Sequence, residues 1–196
     1  MEYYGLNASQ AQALLHARSS QALEAFRKDP YSIVDSVAGI GFTTADTAAR
    51  RMGVGGQDSR RIRAGVFEAL ERALHEGHTG LTSNDLLTRA ANLLEVGAGL
   101  VGHTLFEITQ EGELESYGRG QDTVLQLPRI ARHERVIAER LHARENMRTP
   151  WADTSLDVAG AAGAAGLDDA QTAALHTLVG AHTGVLAGGP GTGKTT

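Results

Sequence analysis

One eight-residue stretch of the sequence combines the residue types that bind phosphate in proteins. It satisfies the pattern GxxxxGK[ST] with the residues Gly188-Gly189-Pro190-Gly191-Thr192-Gly193-Lys194-Thr195. In such a loop, backbone N–H groups surround the phosphates, Lys194 reaches the β and γ oxygens, and the Thr195 hydroxyl ligates Mg²⁺. The stretch therefore predicts a phosphate-binding loop, or P-loop.

The residues just ahead of the P-loop indicate how it would be held. Val185, Leu186 and Ala187 form a short apolar run, which predicts a buried strand leading into the loop. A strand followed by this loop and then a helix is the opening of an α/β nucleotide-binding domain. We expect such a domain to begin within 167–196.

A second candidate phosphate-binding site lies near the start of the sequence. Gly39-Ile40-Gly41 separates two helical patterns, and Thr43 is predicted to cap the second helix. The glycines allow backbone N–H groups to point outward beside a helix N-terminus, where they can bind a DNA phosphate without reading a base. Arg50 and Arg51 add positive charge to this segment. The alternative is a plain helical corner that binds nothing.

Helical patterns flank this hairpin and define an N-terminal region. Two short helices are predicted between Gly5 and Lys28, and Asp29-Pro30 breaks the chain after them. The segment YGLNASQAQALL is a weaker copy of the hairpin that lacks its second glycine. We interpret 1–56 as a helix-hairpin-helix region.

The next region, 57–128, combines helices with a β-hairpin. Three helices are predicted. The first covers Asp58–Glu76, the second begins after Thr82 as its N-cap, and the third covers Ala98–Gln110. Strands are predicted at Glu113–Tyr117 and Thr123–Leu127, with Gly118-Arg119-Gly120 as the hairpin tip. This order is typical of a winged helix, which binds DNA in some proteins and docks onto other proteins in others. Both interpretations stay open.

An arginine-rich helix and a small-residue segment follow. The helix is predicted at 129–148, with Ile130, Ile137, Ala138 and Leu141 on its apolar side. Its arginines face either phosphates or solvent. The residues of 149–166, which include VAGAAGAAG, predict a linker or a poorly specified helix, and we place a domain boundary there.

Composition excludes several classes of protein. The 196-residue chain has a formal charge of -5, which argues against a protein that coats nucleic acid through bulk positive charge. It contains no Cys, so disulfides and thiolate metal sites are excluded. Pairs such as His75 and His78 lack a third ligand at a suitable spacing. The sequence has neither a membrane-spanning run nor a signal-peptide pattern, so we expect a cytoplasmic protein.

Several segments of the sequence resemble a known family. Leu167–Thr196 is similar to the opening of a superfamily 1 helicase motor. DPYSIVDSVAGIGFTTADTAARRMGV, ALHEGHTGLTSNDLLTRAANLLEV and LQLPRIARHERVIAERL resemble the N-terminal region of RecD-like DNA helicases, the family of the exodeoxyribonuclease V alpha chain. Many ATPases share the P-loop pattern. The order of hairpin, winged module, arginine-rich helix, glutamine and P-loop is what distinguishes this family.

The resemblance implies an ATP-dependent 5′–3′ DNA helicase of repair or recombination that uses ATP and Mg²⁺. Its partners would be single-stranded DNA or a duplex junction and other repair subunits. Lys194 would be catalytic, Thr195 would hold the metal, and Gln171 would read the adenine. The implied ATP-binding residues are Gln171, Gly188, Gly189, Pro190, Gly191, Thr192, Gly193, Lys194, Thr195 and Thr196. The predicted DNA-binding residues are Gly39, Ile40, Gly41, Thr43, Arg50 and Arg51.

The predicted fold is mainly α. It has a helix-hairpin-helix module, a winged-helix-like module with a β-hairpin, and then the first elements of a RecA-like α/β domain at 167–196. A RecD-like helicase continues beyond its P-loop with an acidic Walker B pair and an arginine finger. We therefore expect this chain to be an N-terminal part, truncated at the P-loop and inactive by itself. The alternatives are a non-catalytic DNA- or protein-binding adaptor and a different P-loop ATPase.

Overall fold

The computed structural model describes residues 5–17, 19–34, 37, 39–118, 120–145, 147–149, 151 and 155–194. Thr195 and Thr196 of the predicted P-loop and Arg119 of the predicted hairpin tip lie outside the described residues. The chain divides into two compact units, 1–131 and 132–196. Among the described helices, none has the combination of length and apolar character that crossing a bilayer requires.

The first unit opens with helices that are predicted in the sequence. These are α1 (Ala8–Ala17), α2 (Ser19–Lys28), α3 (Phe42–Arg51) and α4 (Ser59–His75). Where a helical pattern is predicted before the hairpin, the described residues form only a 3₁₀ turn (Pro30–Ile33). Asp29 starts the 3₁₀ turn by accepting a hydrogen bond from the Tyr31 N–H at 3.0 Å. Asp58 likewise accepts from the Arg60 N–H at 3.0 Å at the start of α4. Local capping by short polar side chains therefore sets where these elements begin.

The unit continues with two more helices and a small sheet. The elements are β1 (Leu81–Thr82), α5 (Ser83–Leu94), α6 (Ala98–Gln110), β2 (Glu115–Tyr117), a 3₁₀ turn (Gly120–Asp122) and β3 (Val124–Gln126). Thr82 caps α5 as predicted, because its hydroxyl accepts the Asp85 N–H at 3.1 Å. The two predicted strands are present in shortened form, whereas β1 is not predicted.

The sheet is antiparallel, in the order β1-β3-β2. Leu81 of β1 pairs with Leu125, and Tyr117 of β2 pairs with Val124. The strand β1 has only two residues, so its sequence carries no alternation that could indicate a strand. Its pairing with β3 is a tertiary event that the sequence pattern does not encode.

The core of the first unit is continuous from the hairpin region to the sheet. One cluster of buried apolar side chains includes Phe26 of α2, Ile40 of the hairpin, Ile62 of α4 and Leu125 of β3. The regions predicted as separate modules, 1–56 and 57–128, therefore share a core.

Close packing between α4 and α5 depends on a glycine in the middle of a helix. A methyl group on Gly65 would lie 2.6 Å from Leu94 Cγ, too short for a carbon–carbon contact. Glycine weakens a helix interior by about 1 kcal/mol relative to alanine. Its presence here allows the buried Leu94 to pack directly on the α4 backbone.

The helix α7 (Pro128–Glu145) begins in the first unit and continues into the second. Ala131 is buried, but two side chains of the predicted apolar side are exposed, Ile137 by 58% and Leu141 by 50%. The helix is confirmed, but its predicted apolar side is only partly buried, because Ile130 packs against the core of the first unit whereas Ile137 and Leu141 are exposed. A helical period alone therefore does not establish that an apolar side has a partner.

The second unit also contains α8 (Val158–Ala164) and α9 (Asp169–Val179). Asp157 caps α8 through the Gly160 N–H at 2.8 Å, and Ala162 is buried. Of the two alternatives predicted for 149–166, a linker or a poorly specified helix, the helix is therefore present over Val158–Ala164, because small residues with a cap suffice for a short packed helix. The division between the units also falls earlier than the predicted boundary.

The strand predicted at Val185–Ala187 is absent from the described structure, where these residues have no regular secondary structure. Val185 is 91% exposed. A strand needs neighbours that accept and donate its backbone hydrogen bonds, and the described residues place none beside this segment. The apolar composition of the run reflects a preference for burial that is not met here.

Candidate functional site

The hairpin at Gly39–Gly41 is fixed by its backbone conformation and by the core. Gly39 has a φ of +80°, which a side chain would disfavour. The side chain of Ile40 is buried, and its N–H donates to the Val37 carbonyl at 3.1 Å. Ile40, predicted to contact DNA, therefore anchors the hairpin and offers neither its side chain nor its N–H to a ligand.

The N-terminus of α3 follows the hairpin directly. Gly41 is the N-cap, and no side chain caps the helix. The first helical bond runs from the Ala45 N–H to the Gly41 carbonyl at 3.1 Å, so the N–H groups of 42–44 have no partner within the helix. These donors and the helix dipole suit this end of α3 to an anion.

The prediction that Thr43 caps α3 is wrong, because the helix begins before it at Phe42. Phe42 is buried, and this apolar anchor draws the chain into helical conformation directly after Gly41. Thr43 lies in the exposed first turn, and its carbonyl accepts the Thr47 hydroxyl at 2.8 Å. It stays beside the outward-pointing N–H groups, as a DNA contact would require.

The two predicted arginines lie at the other end of α3, in its last turn. At about 1.5 Å per residue, Arg50 is roughly 12 Å along the axis from Phe42, so the arginines do not meet the hairpin. Their guanidinium groups also diverge. A methyl group on Gly56 would lie 2.9 Å from Arg50 Nη1, and one on Gly5 would lie 2.9 Å from Arg51 Cζ.

A polar network behind α3 holds the helix in place. The Asp46 carboxylate accepts the Tyr31 hydroxyl at 2.7 Å and the Nε of Arg61 at 2.8 Å. Burial raises the pKa of Tyr31, and its hydrogen bond to Asp46 raises it further. Burial also acts to raise the pKa of Asp46, but the hydrogen bonds from Arg61 and Tyr31 outweigh it, so that pKa is lowered.

The same arginine connects α3 to elements later in the chain. Arg61 Nη1 donates to the Gly56 carbonyl at 3.0 Å and to the Leu94 carbonyl, at the end of α5, at 2.9 Å. No motif or periodic pattern in the sequence predicts this network. Its one signal is an acidic residue, Asp46, on the alanine-rich side of α3 that the core buries.

The described part of the P-loop is folded around its own lysine. The Lys194 ammonium donates to the Gly188 carbonyl at 2.7 Å and also to the Gly189 carbonyl. Gly191 and Gly193 have φ of +75° and +70°, so the chain turns at the glycines of the pattern. The cation therefore lies inside the loop, held by carbonyl oxygens.

Gln171 lies beside this loop. Its Nε2 donates to the Thr192 carbonyl at 3.2 Å, while its Oε1 accepts the Asp168 N–H at 3.0 Å. The Asp168 carboxylate accepts the Gln171 N–H at 2.8 Å, which completes a capping box at the start of α9. The structure thus brings together Gln171 and the P-loop, which are separated by about 20 residues in sequence.

Other parts of the described structure carry no predicted site residue. An open groove of about 550 Å³ lies between α5, α6 and the β-hairpin, and Phe106 is among its lining residues. No cluster of three or more His, Cys, Asp or Glu side chains suited to a metal ion occurs among the described residues. Thr195, the predicted Mg²⁺ ligand, lies outside them.

Comparison with known proteins connects both regions to one family. A family model described as the ATP-dependent RecD2 DNA helicase HHH domain matches residues 1–80. The ATP-dependent RecD2 DNA helicase of Deinococcus radiodurans is 31% identical over 206 residues, which cover 98% of this chain and 28% of that protein. The chain thus spans little more than a quarter of the length of this relative. With a match to an HHH domain at its N-terminus and similarity along nearly its whole length, the chain is similar to RecD-like DNA helicases.

Proposed function

We propose that this chain is the N-terminal part of an ATP-dependent 5′–3′ DNA helicase that acts in the cytoplasm in DNA repair or recombination. The observation that carries the proposal is the extent of the similarity to a RecD2 helicase, 98% of the chain. The similarity covers nearly the whole chain, which carries both the hairpin pattern and the P-loop pattern. A helicase requires both a DNA-binding surface and an ATP site.

In this proposal the hairpin binds the DNA backbone. The donors are the N–H groups at the start of α3, beside Gly41 and Thr43, because the helix leaves them without partners. Since these groups contact phosphate and no base, binding is independent of sequence and weakens with salt. Arg50 and Arg51 add attraction at phosphates farther along the backbone.

We also propose a winged-helix-like module at 57–128 and the start of a RecA-like motor at 167–196. The order α4, β1, α5, α6, β2, β3 supports the first. The P-loop pattern after α9 supports the second. The winged-helix-like module would contact DNA or dock onto another repair subunit.

The P-loop residues fit the phosphates of ATP. The glycines of the loop leave room for phosphate oxygens, and the Lys194 ammonium already lies within the loop. Lys194 would exchange carbonyl oxygens for phosphate oxygens, and Thr195 would hold Mg²⁺. ATP with Mg²⁺ supplies, when bound, the phosphoryl bond whose hydrolysis drives unwinding.

Gln171 would recognise the adenine. Its amide both donates and accepts, as an adenine edge requires, and it lies within hydrogen-bond distance of the loop at Thr192. Guanine presents the opposite pattern of donors and acceptors at the corresponding edge. Gln171 would therefore favour ATP over GTP, whereas Lys194 would serve either nucleotide.

The test is DNA-stimulated hydrolysis of ATP and GTP by the full-length gene product that contains this chain. Lys194→Ala should abolish hydrolysis of both nucleotides and leave DNA binding by the hairpin in place. Gln171→Ala should lower the ratio of ATP hydrolysis to GTP hydrolysis by about 5- to 150-fold. This is the equivalent of about 1–3 kcal/mol for an unpaired buried polar group.

Gln171→Glu is the matched control for the helix cap. A carboxylate still accepts the Asp168 N–H, but it cannot donate a hydrogen bond. Gln171→Glu should therefore keep α9 intact and still lose the ATP preference. If both Gln171 variants retain the preference of the unchanged protein, the glutamine has no role in base recognition, and a different P-loop ATPase becomes the better interpretation.

The second candidate function is a non-catalytic DNA- or protein-binding adaptor. The observation that favours it is that the hairpin belongs to a unit with its own core, 1–131. The same assay distinguishes the two. An adaptor would bind DNA in the full-length protein while Lys194→Ala changed no measured rate.

A further inference from the structure

The first unit contains a second turn with the same local structure as the hairpin. Gly5 and Gly39 both have a φ of +80°. Each glycine is followed by a buried apolar residue, Leu6 or Ile40, and then by the residue that precedes a helix. The turn at 5–7 is therefore a structural repeat of the hairpin at 39–41, although only the latter has the second glycine.

One side chain connects the two turns. Gln10, in the first turn of α1, donates from Nε2 to the Gly39 carbonyl at 3.0 Å. Its Oε1 accepts the Asn7 N–H at 3.0 Å. Because both ends of this amide are used, Gln10 holds the backbones of the two turns at a fixed spacing.

The two turns differ in the donors that they leave for a ligand. Asn7 Oδ1 accepts the Gln10 N–H at 2.8 Å, so the first turn of α1 is capped by a side chain. The first turn of α3 has no such cap. The turn at 5–7 is thus less able than the hairpin to bind an anion through backbone N–H groups.

Arg51 lies beside the turn at 5–7, which leads into the capped helix α1. The Arg51 guanidinium lies next to Gly5, in the space that a side chain on this residue would occupy. Arg51 is exposed, and within the described part of the chain its guanidinium has no hydrogen-bond or ion-pair partner. A guanidinium is suited to bidentate binding of phosphate oxygens.

We propose that Arg51, lying over Gly5, forms a second binding site for a DNA backbone phosphate, and that Gln10 fixes its distance from the hairpin site. The inference rests on the proposed function, since it assumes that the hairpin binds DNA. In this proposal Arg51 belongs to the turn at 5–7, whereas Arg50, which lies near Gly56, does not. Gly5 contributes to the site in two ways: its φ of +80° disfavours any other residue, and its missing side chain leaves the space in which the guanidinium lies.

The test measures binding of the 196-residue chain to mixed-sequence duplex DNA by fluorescence anisotropy at several salt concentrations. Arg51→Ala should reduce the slope of log affinity against log salt by about 0.9, the value for one phosphate contact. Gly5→Ala should cause a similar loss because it displaces the guanidinium. The double variant Gly5→Ala with Arg51→Ala should bind DNA no more weakly than either single variant, because both substitutions remove the same contact.

Two matched variants separate this site from general effects. Gly77→Ala imposes the same backbone conflict, since Gly77 has a φ of +94°, but a methyl group there meets no atom within 4 Å. It should leave the salt dependence unchanged. Arg50→Ala removes the same charge one residue earlier, and its effect should add to that of Gly5→Ala.

Four outcomes would overturn the site. Arg51→Ala could leave the slope unchanged, or Gly5→Ala could preserve it. The effects of Arg51→Ala and Gly5→Ala could be additive, or those of Arg50→Ala and Gly5→Ala could be non-additive. If Gly5→Ala does not fold by circular dichroism, Arg51→Lys replaces it and should give an intermediate loss, because the charge is kept and the planar fork is lost.

Failure of the proposed function has a different signature. In that case the unchanged chain would not bind duplex DNA, or Gly41→Val at the hairpin would bind as well as the unchanged chain. Loss of binding in Gly41→Val together with unchanged binding in Arg51→Ala would retain the hairpin site and reject only the second site.

Discussion

The hairpin and the P-loop are held in place by different forces. Behind the hairpin, Ile40 is buried in a continuous core, and Asp46 and Arg61 form a partly buried ion pair. Around the P-loop, the contacts of Lys194 and Gln171 are hydrogen bonds between exposed or half-exposed groups. In the described part of the second unit, Ala162 is the buried hydrophobic residue.

The comparison shows which kind of site depends on the global fold. Displacing the hairpin requires core packing to be lost, so its geometry should persist until the first unit unfolds. The P-loop can exchange one set of hydrogen bonds for another without disturbing a core. This would suit the proposed ATP site, in which Lys194 exchanges carbonyl oxygens for phosphate oxygens.

The largest expected difference is between the same substitution made in each unit. Ile62→Ala removes a side chain that is fully buried in α4 and should lower the free energy of unfolding by about 2–5 kcal/mol. Ile137→Ala in α7, where the side chain is 58% exposed, should change it by no more than about 0.5 kcal/mol. Urea unfolding followed by far-UV circular dichroism measures both. Equal losses in the free energy of unfolding would show that Ile137 of α7 is packed against a partner and that the two units do not differ in this respect.

A somewhat smaller loss is expected from the ion pair behind the hairpin. Asp46→Ala leaves the Arg61 guanidinium without its carboxylate and should cost about 2–4 kcal/mol, below the largest values for fully buried pairs. The same variant should weaken DNA binding through α3 only as far as it unfolds the unit. A variant that remains folded but no longer binds DNA would assign Asp46 a direct role.

The pair also sets the direction of a pH dependence. Because hydrogen bonds from Arg61 and Tyr31 outweigh burial and lower the pKa of Asp46, its ionised form stabilises the folded state. This contribution is fully present above the ordinary value of 3.8 and is lost as the pH falls through the lowered pKa. Urea midpoints measured between neutral and acid pH should fall less steeply for Asp46→Ala than for the unchanged chain.

The smallest effect is expected beside the P-loop. Asp168→Ala removes the capping box of α9 and should cost that helix about 1 kcal/mol. Hydrogen exchange of the α9 amides should accelerate roughly fivefold, while amides in α4 keep their rates. Trp151, the one tryptophan of the chain, donates to the Val179 carbonyl of α9 at 2.8 Å and is a fluorescence probe for the same change. Acceleration in both helices would show that the two units unfold together.

Local signals account for the parts of the fold that the sequence predicts correctly. Thr82 caps α5, and Gly77 follows the end of α4 with a φ of +94°. Both depend on neighbouring residues and on the backbone alone. The helix α3 starts before the predicted Thr43 cap because an apolar residue, Phe42, begins it in the absence of a side-chain cap.

Long-range contacts account for what sequence analysis missed. The pairing of β1 with β3 joins residues about 40 positions apart, and the bond from Arg61 to Leu94 spans about 30. No periodic pattern encodes such partners. The candidate site shows the same division, since the P-loop and hairpin are visible as motifs, whereas the position of Arg51 over Gly5 depends on tertiary structure.

The contacts of Arg61 bear on where the chain can be divided. The first 56 residues contain the complete hairpin, but the guanidinium that pairs with Asp46 belongs to α4, and the same group reaches the carbonyl of Leu94 at the end of α5. A fragment cut at residue 56 would lose this group together with the core side chains of α4. We therefore expect that residues 1–56 alone do not form a stable folding unit. The hairpin is held in place by residues of α4, which lie after it in the chain.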